Sequence, residues 1–421
     1  MFTRRHPRLV LCVLALLVPL TGCAGFWQAI TTTTTTGGST TGDYVFVGKT
    51  GNSSVAAYAV ATTGLTAVTG SPFSIAYPPL SMVVTPSDAY LYVGTSAGIY
   101  GFSIGTGGVL TALNSGAVIA NTPSAVAPSA AIDVSPDGNY LAVLSQPTAS
   151  SGQFYIYVYS INSSTGLLTY NGAIGTITLA SNYNPATASP HSIHFAPNES
   201  TQTTSVIVAA LGTGGDAAFT FNSSTGAISA LPTDIVLPPS TTSSDNAAIW
   251  NSSSTAIFIP RGGSSTSLAV YTFGATTGVF TTDTAAQILV STGNNPTAAA
   301  FNQAQSDVYV TNATDATVSA FAYSYSGTSI TVTSPQLTSG PYTTSGAQPN
   351  AIAYDKSGNF IFVLNQSGPP DLLQYTVDGI TDPSTSTPGR LYINSSVATG
   401  LSVTSTVSNV SPTGVSMALT H

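Results

Sequence analysis

The chain has 421 residues, of which 43% are hydrophobic and only 5% charged, with a formal net charge of −8. Soluble domains usually carry about 25% charged residues, but the shortage does not mean disorder, since disordered chains combine low hydrophobicity with high net charge. Seven basic residues against fifteen acidic ones exclude nucleic-acid binding and a polybasic membrane-surface mode, both of which need clustered Lys and Arg.

Residues 1–23 read as an export signal. Arg4, Arg5 and Arg8 supply a positive start, and Leu9–Leu20 is an apolar run of twelve. A stable membrane span needs about 20 residues. The run ends in Leu20-Thr21-Gly22-Cys23, which resembles the bacterial lipobox. The resemblance implies that Cys23 becomes the lipidated first residue of the mature chain, so that the membrane is reached through a lipid anchor only. Cys12 leaves with the leader, and the one remaining cysteine cannot form an intrachain disulfide. Ala24-Gly25 after the cysteine, with no Asp, implies by the same resemblance an outer-membrane location. Residues 24–42 form a tether, because the Thr31–Thr36 run and Gly37-Gly38 cannot bury a core.

Residues 43–421 carry a repeat. Its first feature is a short segment of small and apolar residues, usually entered by Pro. It begins at Pro79, Ser129, Pro190, Asp245, Pro296, Pro349 and Pro412. Its second is an alternating aromatic and β-branched run, such as Tyr44-Val-Phe-Val47, Tyr140-Leu-Ala-Val143 or Phe360-Ile-Phe-Val363. Its third is another such run closed by a turn glycine: Gly64, Gly108, Gly166, Gly226, Gly278, Gly327 or Gly379. Each glycine suits a hairpin position with φ > 0. A fourth, less regular strand follows. Four-stranded units repeated seven times predict an all-β fold, a seven-bladed β-propeller of antiparallel blades. The chain enters at a second-type strand and stops after a first-type strand, so pairing of the N- and C-terminal strands is expected to close the ring.

The run Tyr309-Val310-Thr311-Asn312, with the Ser135-Pro-Asp-Gly138 turn and the Thr63-Gly-Leu-Thr66 element, resembles the YVTN repeats of the lactonase-type propeller family. That family includes bacterial 6-phosphogluconolactonases and muconate cycloisomerases. The resemblance covers nearly all of residues 43–421 and implies a site over the central channel. The family pattern there is Pro-His, then Leu-Gly-x-Asp, then an Arg and a Glu in the next blade. Pro190-His191 matches the first element. Leu211-Gly212 with Asp216 matches the second loosely. Asp245-Asn246 stands where the Arg is expected, Pro260-Arg261 lies near the expected acid, and the only Glu of the chain, Glu199, lies elsewhere.

His191, His194, Asp216 and Arg261 are therefore the candidate catalytic residues. Lactone hydrolysis needs a base for water and donors for the developing oxyanion. Either histidine suits the base, with Asp216 orienting it. The competing readings are a channel-lining role for the histidines, a turn for Asp216 and a loop cation in Arg261. Without the leader, Lys49, Arg261, Lys356 and Arg390 are the only basic residues, a poor clamp for a phosphorylated substrate. No metal-ligand spacing or phosphate loop is present, and no cofactor is expected. The expectation is a cell-envelope lipoprotein binding an envelope, glycan or protein partner. A lactone hydrolase acting on a small lactone and a structural envelope component are the alternatives.

Overall fold

The computed structural model describes residues 42–120, 130–146, 153–179, 187–197, 204–231, 242–264, 266–274, 279–280, 288–326, 329–333, 341–355, 357–377, 389–401 and 415–421. The leader, the lipobox Cys23, nearly all of the tether, Glu199, Lys356, Gly278, Gly327 and Gly379 lie outside them. Among the described residues no helix is long and apolar enough to cross a membrane.

The fold is an all-β propeller built from antiparallel meanders. In the blade of residues 131–178, Ala131–Val134, Tyr140–Ser145, Gln153–Ile161 and Leu168–Thr178 follow one another from the channel outward. Burial that falls off toward the outer strand explains the order. Tyr140–Ser145 is buried at every position, because a central strand packs a neighbouring blade on both faces and therefore tolerates apolar residues throughout. Leu168–Thr178 mixes Thr, Asn and Gly with aliphatic residues, and much of it stands in solvent. Contacts between blades are apolar and aromatic: the Phe221 ring meets Tyr140 of the preceding blade edge-on at 5.4 Å, and Phe195 of its own blade at 4.9 Å. Each fully buried ring of this kind contributes about 1.5–3 kcal/mol relative to exposure.

The turn chemistry follows the sequence. In the hairpins closed by Gly166 and Gly226, φ is +68° and +72°. The Asn162 and Asn222 carboxamide oxygens accept backbone N–H bonds from Ser164 and Thr165, and from Ser224 and Thr225.

Ring closure by the chain ends is observed. Val415–Leu419 pairs antiparallel with Tyr44–Lys49, from Val45 opposite Leu419 to Lys49 opposite Val415. The Tyr44 N–H donates to Thr420 Oγ1 at 2.8 Å, and the His421 N–H donates to Asp88 at 2.7 Å.

The expected count of seven separate blades is corrected. Five sheets of four or five strands stand as separate blades, and a sixth sheet contains ten strands, within residues 188–291. It holds two meanders joined where Gly212, at the end of Thr204–Gly212, pairs with Asp245 of Ser243–Asp245. The cause is local. Gly212 takes φ +61°, a left-handed conformation that glycine adopts without strain, and the backbone turned there pairs with Asp245. The expected first-type strand from Asp245 to Trp250 is also broken, into Ser243–Asp245 and Ile249–Trp250.

Candidate functional site at one mouth of the central channel

The segments entered by Pro line the channel, and the prolines shape it. A Pro cannot donate to the ladder, so pairing slips where it sits. The register shifts between Pro79 and Ser81, Ala188 and Ser192, Pro296 and Ala298, and Pro349 and Ala351. Each slip lies at the residue that follows the Pro: Leu80, His191, Thr297 and Asn350. All four line the channel, together with Asn246 beside Asp245.

Three cavities follow one another along the channel. The first, of about 450 Å³, is a polar mouth lined by His191, Ser189, Ser244, Asn246, Thr297, Asn350 and Gln366 among others. No Asp, Glu, Lys or Arg lines it among the described residues. Its polar groups are held in place around the rim. The Asn246 Nδ2 donates to the Pro296 carbonyl at 2.6 Å, the Thr297 hydroxyl to the Pro349 carbonyl at 2.7 Å, and the Asn350 Nδ2 to Gln366 Oε1 at 2.8 Å. A waist of about 240 Å³ comes next, and a far, mostly apolar mouth of about 710 Å³ follows it.

His191 lies in the polar mouth and the waist. Its ring rests over Gly212, where a Cβ would stand 2.5 Å from Nε2. Burial lowers its pKa to about 4, against a smaller upward pull from a hydrogen bond with the Asn246 backbone. The ring is therefore neutral at pH 7 and can accept a proton or a hydrogen bond.

The other candidates are placed differently. His194 is three residues along the same strand but lines the waist and the far mouth, with Nδ1 3.7 Å from Asp133 Oδ2. The two histidines thus serve opposite ends.

Asp216 is not a solvated turn residue. It opens the strand Asp216–Asn222 and is buried. Burial raises its pKa well above the ordinary carboxyl value, and the charge and hydrogen bond of Asp245 raise it further, with Arg261 opposing. Burial and the neighbouring Asp245 charge therefore both favour the neutral form of Asp216.

Nor is Arg261 a loop cation. It lies within the strand Ala256–Gly263, 2% exposed, and grips Asp245 with two bonds, Nε to Oδ1 at 2.5 Å and Nη2 to Oδ2 at 2.9 Å. Nη2 also donates to the Tyr271 hydroxyl at 3.3 Å. Burial alone would lower the Arg261 pKa, but the Asp245 bonds and charge outweigh it and hold it above its usual value.

Asp216, Asp245, Arg261 and Tyr271 thus form one buried network behind the mouth. Asp216 does not orient His191, whose environment is set by burial and the Asn246 backbone. The sequence reading missed Asn246, Thr297 and Asn350. The signal was present: each follows a Pro, or its equivalent, at the head of a repeat. No group of three or more His, Cys, Asp or Glu residues suited to a metal ion occurs among the described residues.

No family model matches the chain, and neither does any curated protein. Solved structures do match in fold. A periplasmic gluconolactonase of Pseudomonas aeruginosa superposes with a TM-score of 0.62 at 15% identity, over 90% of this chain and 99% of that one. A putative 6-phosphogluconolactonase of Bacteroides fragilis gives 0.63 at 12%, over 91% and 100%. A functionally unknown protein of Desulfotomaculum acetoxidans gives 0.58 at 12%, over 90% and 99%. The chain therefore shares the architecture of lactonase-like β-propellers, at identities that carry the fold alone.

Proposed function

We propose that the chain is a cell-envelope lipoprotein whose propeller binds an uncharged, hydroxyl-rich small molecule or glycan end in the His191 mouth. The observation that carries this is the chemistry of that cavity: fixed amide, hydroxyl and imidazole groups, with no charged side chain among the described residues. Such a rim exchanges hydrogen bonds with sugar hydroxyls and has nothing to neutralise a phosphate. Arg261, the nearest cation in the sequence pattern, is committed to Asp245. The ten-stranded sheet counts in this reading as two blades fused at Gly212, which makes seven repeats of the lactonase type.

Hydrolysis of an unphosphorylated lactone at the same mouth is the second reading. It is favoured by one observation, a neutral His191 ring seated on Gly212 of the Leu211-Gly212 element. Calorimetric titration with glucose and gluconate, alongside gluconolactone turnover followed by base consumption, separates the two. Binding of neutral sugar that is lost in His191→Ala, without turnover, supports the binding module. Turnover lost in the same variant makes it a hydrolase. Stronger binding of gluconate than of glucose would refute the uncharged-ligand reading.

A further inference from the structure

We propose that the channel takes an amphipathic ligand: an uncharged, hydroxyl-rich head in the His191 mouth and an unbranched alkyl chain running through the waist toward the far mouth. The head-group half rests on the function proposed above; the alkyl half rests on separate observations.

The three cavities are contiguous. His191 lines both the polar mouth and the waist. Met82, Ile132, Ile249, Ile352 and Met417 line both the waist and the far mouth. Polarity changes in one direction along this path, from a mostly polar mouth through a mixed waist to a mostly apolar far mouth. No Asp, Glu, Lys or Arg lines the mouth or the waist among the described residues, and Asp133 enters only at the far mouth. A charged head would therefore lose its hydration without an opposite charge to replace it.

The waist is also built to adapt. The sequence has three methionines, and the two beyond Met1, Met82 and Met417, both stand there, on different strands. Unbranched thioether side chains reshape easily around a flexible partner. Alanines at 298 and 351 keep the passage open between larger aliphatic neighbours.

The test is isothermal titration of the full chain with methyl, butyl, hexyl and octyl β-glucosides, each below its micelle concentration. Each methylene fully buried is expected to tighten binding roughly fourfold, so octyl glucoside should bind at least about tenfold more tightly than butyl glucoside. Ala298→Leu and Ala351→Leu narrow the waist from two different strands. Each is expected to remove the chain-length gain, with methyl glucoside affinity as the reference and near-ultraviolet circular dichroism reporting the fold. Equal affinity for butyl and octyl glucoside overturns the inference but leaves the head-group reading standing. A gain that survives both substitutions overturns it too, because the chain then lies elsewhere. If His191→Ala leaves every affinity unchanged, the head-group reading falls while the chain-length slope still reports on the waist. If no member of the series binds, both fall.

Discussion

At the scale of single residues, the buried network sets two opposite expectations for two aspartates one strand apart. Among the described residues Asp245 is the only carboxylate bonded to Arg261, so Asp245→Asn leaves a buried guanidinium without its counter-charge and should cost about 3–5 kcal/mol. Burial and the Asp245 charge favour the neutral form of Asp216, so Asp216→Asn is expected to replace one neutral donor by another. It should stay within about 1 kcal/mol of the parent chain. Urea titration of the two variants at pH 7 checks both, and equal destabilisation would show that Asp216 is ionised. His191 supplies a pH expectation. Its folded pKa of about 4 lies below the unfolded value of about 6.5, so the unfolded chain binds a proton first as pH falls. The His191 contribution is then complete above about pH 6.5 and declines as pH falls toward 4. Asp216 acts in the opposite sense, since its raised pKa favours the folded state at lower pH. The clean measurement is therefore the difference in thermal midpoint between the parent chain and His191→Asn across pH 7 to 4. That difference should move against the parent chain as pH falls, and a flat difference would contradict a neutral ring with a lowered pKa.

Among the elements, the strand that closes the ring is short and carries much of the consequence. Val415–Leu419 supplies five residue pairs to Tyr44–Lys49, and Met417 and Leu419 pack against the cluster of Val45, Val47, Phe362 and Leu364. Deleting residues 415–421 bares one edge of a fully buried strand. Met417 and Leu419 are only partly buried, so each contributes less than the about 1.5–3 kcal/mol of a fully buried side chain, but their loss with the exposed strand edge should still give an earlier and broader melting transition; an unchanged transition would mean that the seam carries no load. This closure was legible in the sequence, because the order of strand types wraps from tail to head and periodicity survives the loss of any one residue. The fusion of two meanders through Gly212 was not. It depends on one glycine with φ +61° and on how close a neighbouring sheet comes, and neither leaves a periodic trace. The site was half legible for a related reason. Pro190-His191 marks a position that a local ladder slip turns inward, which a dipeptide can signal. The burial of Asp216 and Arg261 against Asp245 is a tertiary fact, and in the sequence those residues look like ordinary polar punctuation.

For the whole molecule, a shortage of charge is compatible with a well-packed ring because the central strands of the blades need almost none: apolar and aromatic residues face both neighbouring blades. Asp216, Asp245 and Arg261 are buried together behind one mouth, while the other buried charged groups among the described residues, Lys49, Asp307, Asp355 and Asp371, lie in or beside other sheets, so the chemistry around the channel is asymmetric while the scaffold repeats. The joint between the two chain ends has a consequence for connectivity. The Gly42 carbonyl accepts a hydrogen bond from the Thr420 hydroxyl at 3.2 Å, so a few added residues can link the extremities without strain. A circular permutant with that link, cut instead at the exposed Thr106-Gly107 turn, where the glycine has nothing within 4 Å of a would-be Cβ, should fold with the parent's cooperativity and ligand response. The ring has no obligatory starting point, and the chain enters it at Gly42 beside the point where Thr420 leaves it.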